Sequence, residues 1–400
     1  MLPALLDSAE PRPETPLTGK HASFLLMMAC CAVARGQIAG PPIQNNAYNL
    51  DLRQGPILGS ARQVALGGAY LGVAEGITAL NSNPAGAAFR LERSKAEFDW
   101  DWTAGLNNLE SKDFDNNGQT PPDYKSHRIR SLGLMFQYGP WGVGLLNNAE
   151  ILALEGANGQ DDEYILSTTS LALGRQLLDR ELTVGVGLRA TQIRVRTKPL
   201  DATLGKISGI GWDVGGVWNP DRGPVRFGAS YASAIKSDQS LEATGGSPVT
   251  VNGLIVPQQA ILPATLGLGL SYGVASAPFW KGHKWLVAGD LVFTGKSENA
   301  VGVESMLAQK QQPVGTQTTT SLRIGSELET WPGRLRLRLG SYYEPSNYQG
   351  VEGRAHLTGG FEVRLFHTSL WGEYDWNLTC SVDSARDYVK AFVSIGFWYF

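Results

Sequence analysis

From Lys95 to the C-terminus, hydrophobic and polar residues alternate with a period of two, in segments of about 7 to 15 residues separated by turn-forming residues. Proline cannot donate to a β-ladder, and none of the 21 prolines falls inside these segments. The pattern therefore predicts an all-β chain with fourteen strands, at 95–102, 129–138, 141–147, 164–175, 182–196, 211–219, 225–233, 264–275, 284–293, 318–330, 335–343, 356–366, 368–378 and 387–400.

The connections between these segments alternate in length. Short connections are predicted at 139–140, 178–180, 220–224, 331–334 and 366–367, and long ones at 103–128, 148–163, 197–210, 234–263 and 294–317. Only 276–283 fits neither class. Long extracellular loops alternating with short periplasmic turns are typical of a transmembrane β-barrel, and a soluble β-sandwich or propeller does not predict them.

The predicted strands each have one apolar and one charged face. In Leu335 to Gly340 the leucines share one parity and the two arginines the other. In a soluble barrel the apolar face would be the core, and periodicity alone does not choose between the two arrangements. The number of strands and the loop lengths favour a barrel that spans a membrane. In such a barrel a cationic side chain that faces lipid at the midplane costs roughly 2 to 4 kcal/mol, so the charged face must line the lumen. A self-neutralising lumenal network is therefore predicted from Arg323, Glu327, Glu329, Arg336, Arg338, Glu362, Arg364, Glu373 and Asp375.

The N-terminus has the layout of a secretory signal peptide, predicted to span 1–36. The apolar run Ala22 to Ala34 is shorter than the roughly 20 residues of a transmembrane helix, and small residues follow it. Cleavage would remove Cys30 and Cys31 and leave Cys380, which excludes intrachain disulfides. A lipoprotein site at Cys30 is the weaker alternative.

The composition narrows the range of partners. Lys plus Arg number 34 and Asp plus Glu 37, so the net charge is −3 and no nucleic-acid partner is predicted. Charged residues make up 18% of the chain, against about 25% in soluble domains. The 48 glycines also exceed the usual share of about 7%.

Residues 37–94 show no strand alternation and are rich in Gly, Ala and Asn, so they need a barrel to pack in. They contain ARQVALGGAYLGVAE at 61–75 and ALNSNPAG at 79–86, and LPATLGLG follows at 262–269. Together these motifs resemble the FadL/TodX family of outer-membrane transporters. The family usually has an aromatic residue where Ser82 precedes Asn-Pro-Ala.

The resemblance implies a hatch at 37–94 inside a 14-stranded antiparallel transmembrane barrel at 95–400. It also implies a ligand gate at Gly67, Gly68, Asn83, Pro84, Ala85 and Gly86. A simpler interpretation of each of these residues is that a compact plug needs positive φ angles and close backbone approach.

The resemblance further implies a function. It is passive transport of small hydrophobic molecules, fatty-acid-like or aromatic, across the outer membrane of a Gram-negative bacterium, without enzymatic chemistry. The expected surroundings are outer-membrane lipid and lipopolysaccharide, and the protein is expected to be a monomer. The alternative is a secretion or protein-shuttle role, because PorV resembles these transporters in fold.

Three further patterns are weak signals for chemistry. Gly269 to Gly273 matches a nucleophile elbow around Ser271, but the match lies in a strand rather than at a strand-to-helix turn. His127, His283, His356 and His367 lack metal-ligand spacing and are expected to be solvated. Residues 113–118 (DFDNNG) copy the first half of a calcium loop, but position 12 is Tyr124 instead of Glu. No catalytic residue, metal or cofactor is therefore predicted.

Overall fold

A computed structural model of the protein describes residues 40–53, 55–89, 97–111, 113–119, 124–155, 161–197, 202–237, 248–251, 253–369 and 372–398. The predicted signal peptide lies outside these residues. Helices in the described chain are short, and none has the length and apolar character needed to span a membrane. The two α-helices are α1 (Ala61–Ala65) and α2 (Val303–Leu307).

The described chain contains a closed antiparallel barrel of fourteen strands, which confirms the predicted fold. Each strand pairs with its neighbours in sequence, and the last pairs with the first from Thr103↔Gly396 to Ser111↔Tyr388. The strands are β1 (Phe98–Ser111), β2 (Tyr124–Tyr138), β3 (Trp141–Glu155), β4 (Asp161–Leu177), β5 (Leu182–Thr197), β6 (Ala202–Trp218), β7 (Val225–Ala232), β8 (Thr265–Val274), β9 (Trp285–Thr294), β10 (Thr319–Trp331), β11 (Leu335–Glu344), β12 (Arg354–Ser369), β13 (Glu373–Ala385) and β14 (Tyr388–Phe397).

Several predicted strand ends are wrong, mostly because the strands are longer than predicted. The ladders continue into the predicted long loops 103–128, 148–163 and 197–210. The predicted turn at 366–367 lies inside β12, where the pairing with β13 has an irregularity between Arg364 and His367. Backbone hydrogen bonds extend a ladder even where the side-chain alternation that predicts it has faded.

The predicted facing of the strands is confirmed in β11. Leu337 and Leu339 are 46% and 69% exposed on the outside, whereas Arg336 and Arg338 are buried inside. Charged and polar side chains therefore fill the lumen, and a belt of leucine, valine and aromatic residues forms the outer surface, as a lipid-facing barrel requires.

One end of the barrel is covered by a cap formed by residues 40–53 and by the loops after β7, β9 and β11. The cap strand Asn49–Asp51 pairs in parallel with Gln259–Leu262 on one side and with Ala300–Val301 on the other. Ile235–Lys236 and Pro313–Val314 complete this five-stranded sheet. A second small sheet joins Thr250–Val251 to Leu254–Ile255.

Residues 55–89, hereafter the plug, lie inside the barrel. Helix α1 contacts β11 to β14, and the 3-10 helix Pro84–Ala87 contacts strands from β2 to β6 on the opposite side. Val64, Ala65, Leu66 and Ala85 are completely buried. The predicted hatch 37–94 therefore has two described parts with different surroundings, since residues 40–53 belong to the cap and 55–89 to the lumen.

Candidate functional site: the interface of plug and barrel wall

The plug begins with a capped helical turn that ends in two glycines. The Ser60 hydroxyl accepts from the Gln63 amide at 3.3 Å, and the Gln63 side chain accepts from the Ser60 amide at 3.2 Å, which is a capping box. Gly67 and Gly68 follow with φ of +61° and +72°. A Cβ on Gly67 would lie 2.6 Å from the carbonyl oxygen of Ile324, so both the turn and the contact with β10 require glycine.

Asn83 ties the second half of the plug together and to the wall. Its side chain is fully buried, and its Oδ1 accepts from the Ala85 amide at 3.1 Å. Its Nδ2 donates to the carbonyl of Leu71 at 3.2 Å and to that of Gly216, in β6, at 3.0 Å. The side chain therefore links two segments of the plug to each other and to the barrel wall.

The rest of the Asn-Pro-Ala-Gly element is a tight 3-10 turn. Pro84 is the first residue of the helix Pro84–Ala87. A backbone N–H at this position would have no acceptor within the helix, so proline removes no hydrogen bond there. A Cβ on Gly86 would lie 2.3 Å from the Cβ of Ala79. The signature residues are thus explained by close packing within the plug.

The wall has glycines where the plug approaches most closely. A Cβ on Gly185 would lie 2.4 Å from the amide nitrogen of Ala85, and one on Gly215 would lie 2.2 Å from Oδ1 of Asn83. Real Cβ atoms do not approach so closely, so these positions on β5 and β6 form the seat of the plug.

Two wall carboxylates accept hydrogen bonds from backbone amides of the plug. Asp290, on β9, accepts from the amides of Tyr70 and Leu71 at 2.6 and 2.9 Å. Asp101, on β1, accepts from the amide of Ile77 at 2.6 Å. Charge-assisted hydrogen bonds of this kind are stronger than neutral ones, and they fasten the plug on two sides.

Neutral wall side chains add further anchors. Gln137, on β2, donates to the carbonyls of Ala87 and Phe89 at 3.1 and 3.3 Å. The buried Ser271 hydroxyl, on β8, donates to the carbonyl of Gly72 at 3.0 Å. The nucleophile-elbow match is thus a strand residue that anchors the plug.

A buried ion-pair cluster, hereafter the latch, joins the plug to the wall near the short turns. Arg62, in α1, contacts Glu75 of the plug at 2.8 Å and Glu327 of β10 at 2.9 Å. Glu75 also pairs with Arg226 of β7 at 2.8 Å. Removing one partner of a buried pair typically costs about 3 to 5 kcal/mol, because the other charge stays buried alone.

The latch continues into the predicted lumenal network. Arg338 contacts Glu327 at 2.6 Å and also pairs closely with Glu362. Arg336 lies 3.7 Å from Glu362 and 3.9 Å from Glu329. Four arginines therefore face four glutamates, and the cluster is neutral overall.

The remaining predicted network residues lie elsewhere. Arg323 is buried between Asp290 and the turn at Gly68. The other three lie on the ends of β12 and β13 nearest the turn that joins them, where Arg364 pairs with Asp375 at 3.0 Å and Glu373 pairs with His367. The Glu373 side chain is 71% exposed, so it does not face the lumen interior as predicted, because it stands at the barrel rim.

Sequence reasoning missed the residues that join the plug to the barrel wall, namely Arg62, Glu75, Arg226, Asp290, Asp101 and Gln137. The plug has no periodicity from which facing could be inferred. The available signal was the pair of charges at positions 62 and 75 in an otherwise small and apolar segment.

Two histidines differ from expectation. His356 is buried, with Nδ1 2.7 Å from Asp383 and Nε2 2.6 Å from Glu344. His127 is buried too and pairs with Glu150. The prediction that these two histidines are solvated is wrong. A polar barrel lumen buries ionisable side chains, and the alternation along a strand does not distinguish them from side chains that face solvent.

Cavities lie on both sides of the plug. The one towards the cap has a volume of about 180 Å³ and touches Asn81, Ser82 and Pro84 of the plug. Its lining mixes apolar and polar side chains, among them Leu52, Leu80, Ile129, Leu166, Leu262, Asn148, Thr168, Thr191 and Arg189. The pocket towards the short turns is about 670 Å³ and touches Arg62 and Glu75 of the latch. The plug therefore lies between two cavities of the barrel.

Known structures share this architecture. The CymD monoaromatic hydrocarbon channel aligns with a TM-score of 0.54 and 14% identity over 86% of this chain and 97% of its own. The toluene transporter TodX of P. putida aligns with a TM-score of 0.53 and 14% identity over 85% and 98%. A TodX variant described as deltaS2S3 gives 0.54 and 15% over 84% and 98%.

These similarities define the class of fold. The chain has the fold of monoaromatic hydrocarbon channels over most of its length, which confirms the FadL/TodX-type barrel that its motifs predicted. No protein-family model matches the sequence, and a search of curated proteins finds no match.

Proposed function

We propose that this protein is a passive channel for small hydrophobic molecules, fatty-acid-like or aromatic, in the outer membrane of a Gram-negative bacterium. It acts as a monomer within outer-membrane lipid and lipopolysaccharide, and it uses neither enzymatic chemistry nor a redox or organic cofactor. CymD and TodX, which have the same fold, are named as a hydrocarbon channel and a toluene transporter, and this supports the proposal.

The observation that carries the proposal is the cavity between cap and plug. It is a concave site that combines leucine and isoleucine side chains with polar and charged ones, among them Glu150, Arg189 and Asp213. The apolar side chains can contact a small ligand while the polar groups orient it. Its floor consists of Asn81 and Ser82, next to the Asn83 anchor. A ligand in this cavity would therefore touch the element that closes the barrel.

The gate works through the latch and the anchors around it. The plug is held by side-chain bonds to the wall and by few regular backbone ladders, so it can shift while all fourteen strands stay paired. Displacing the turn at Gly67 and Gly68 or the Asn83 element would connect the upper cavity to the pocket beside Arg62 and Glu75. The cap loops pair with one another over this end of the barrel, which favours transport of small ligands over the handling of a secreted protein.

The proposal is tested in cells whose outer membrane contains lipopolysaccharide and lacks another channel of this kind. Expression of the protein should speed the entry of a fluorescent hydrophobic aromatic probe, while hydrophilic solutes remain excluded by the plug. Purified protein in planar bilayers should conduct few ions for the same reason. Equal probe entry with and without the folded protein would overturn the proposal, and loss of a secreted protein from the surface of the native bacterium would then favour the shuttle.

A further inference from the structure

Three carboxylates from two distant parts of the chain meet in the cap region. Asp113 and Asp115 follow β1, and Glu304 lies on α2 in the loop after β9. One oxygen from each side chain lies within 4.8 Å of one from each of the others. All three residues are buried, with exposed fractions of 6%, 7% and 0%.

The loop around the two aspartates has the pattern of a calcium loop. Asp113, Asp115 and Asn117 occupy positions 1, 3 and 5, and Gly118 at position 6 has φ +77°, as the sharp turn of such loops requires. The sequence lacks the carboxylate at position 12. Glu304 supplies a carboxylate from a different loop.

A buried oxygen in the cluster has no hydrogen-bond donor. Oδ2 of Asp115 accepts from the Tyr348 hydroxyl at 2.6 Å and from the Glu304 backbone amide at 3.4 Å, whereas no N–H or hydroxyl group donates to the buried Oδ1. Arg354 is the nearby cation, but it donates to the carbonyl of Asp113 and pairs with Glu344 at 2.6 Å. Its charge is therefore shared, and it does not neutralise three carboxylates.

We propose that Asp113, Asp115 and Glu304 bind a Ca²⁺ ion. Calcium takes carboxylate oxygens in flexible geometry and tolerates ligands from separate loops, whereas magnesium demands near-ideal octahedral geometry and dehydrates reluctantly. Asn117 positions one of the three carboxylates: its side-chain Nδ2 donates to Glu304 at 2.8 Å. Its Oδ1 accepts from the backbone N–H of Gln119 at 2.7 Å.

The ion would fasten the cap. The loop after β1 is already joined to the loop after β11 through Asp115 and Tyr348, and through the Ser346 hydroxyl, which donates to the carbonyl of Asn116 at 2.9 Å. The loop after β9 already contacts this group through Glu304, which accepts from Asn117 and from the Phe114 backbone amide, and a cation would strengthen that contact. Sites outside the cell typically bind calcium with a Kd of roughly 10⁻⁴ to 10⁻³ M, so we expect an affinity in that range.

The test uses the full mature chain, refolded in detergent without lipopolysaccharide, because lipopolysaccharide itself binds calcium. After treatment with chelator, Tb³⁺ is added and its luminescence is excited through tyrosine, since Tyr348 adjoins the site. Saturable luminescence that Ca²⁺ displaces at least tenfold better than Mg²⁺, with one ion per chain by calorimetry, is the expected result.

Two variants locate the ion. Glu304→Gln and Asp115→Asn keep the shape of the side chains and should each weaken Ca²⁺ binding at least tenfold. Glu298→Gln, an exposed carboxylate in the same loop, should leave it unchanged. Both site variants lower the repulsion between buried carboxylates, so folding should survive, and heat-modifiable mobility on gels verifies it.

Absence of saturable calcium binding by the folded wild-type protein would overturn the proposal, as would equal binding by Glu304→Gln. In that case the cluster is held by protons, because burial and the neighbouring Asp113 raise the pKa of Asp115 to about 7. This result would leave the transport proposal untouched, since hydrophobic uptake is measured separately.

Discussion

Arg62 of the plug and Glu327 of the barrel wall form a buried ion pair, with Nε of the guanidinium 2.9 Å from Oε2 of the carboxylate. The two residues are 265 positions apart in the chain, yet each also pairs within its own part of the molecule, Arg62 with Glu75 and Glu327 with Arg338. Their contact is thus the centre of the attachment between the plug and the barrel wall.

Arg62→Met should release the plug without opening the barrel wall. Glu75 keeps Arg226 and Glu327 keeps Arg338, so neither carboxylate stays buried alone, and a loss of roughly 1.5 to 3 kcal/mol falls on the contact between plug and wall. We expect ion conductance in planar bilayers to rise strongly, with normal heat-modifiable mobility. Arg364→Met, which removes a half-exposed pair at the rim, is the control and should conduct like wild type. Equal conductance of both variants would contradict the claim that the ion pairs of Arg62 hold the plug in place.

Two adjacent wall glycines give a matched test of the seat. A Cβ on Gly215 would meet Oδ1 of Asn83 at 2.2 Å, whereas one on Gly216 meets nothing closer than 3.6 Å. Gly215→Ala should therefore strain the packing by about 1 to 3 kcal/mol and expose the plug to protease, and Gly216→Ala should not. If both variants resist proteolysis like wild type, Asn83 is not held as described.

The outer face of the wall can be tested at Leu339, in the middle of β11. Its side chain is 69% exposed on the outside. Leu339→Arg should lower the free energy of unfolding in lipid vesicles by roughly 2 to 4 kcal/mol, whereas Leu339→Phe should be nearly neutral. If urea titrations give Leu339→Arg the same free energy of unfolding as wild type, this face does not contact lipid.

The strand pattern predicted the barrel because lipid on one side and charge on the other impose alternation along every strand. It could not predict where β1 and β2 end, because their backbone pairing continues past the last residues that alternate between apolar and polar. It also missed Arg62 and Glu327 as partners, because an irregular plug has no period. The meeting of Asp115 with Glu304 depends on tertiary folding of two loops, and the sequence supplied only the first half of that site.

The cap should loosen as pH rises through the range from about 4 to 6. Burial raises the pKa of Asp51 from 3.8 to about 6, so the folded state binds a proton more tightly than the unfolded state. Stability is therefore greatest when Asp51 is protonated, and roughly 3 kcal/mol is lost once pH exceeds 6. Protection of the cap loops from protease in detergent should be higher at pH 5 than at pH 7.5. Asp51→Asn should remove the difference in protease protection between pH 5 and pH 7.5. If the variant shows the same difference as wild type, other titratable groups cause it.

Filling the cavity above the plug tests the central claim that hydrophobic molecules pass through it. Thr168, on β4, lines the cavity, and Leu171 on the same strand is 46% exposed on the outside. In cells with a lipopolysaccharide outer membrane, entry of a hydrophobic aromatic probe should fall to the level without the protein for Thr168→Trp. It should stay at the wild-type level for Leu171→Trp, with both variants folded by gel mobility. Wild-type entry of the probe through folded Thr168→Trp would contradict transport through this cavity.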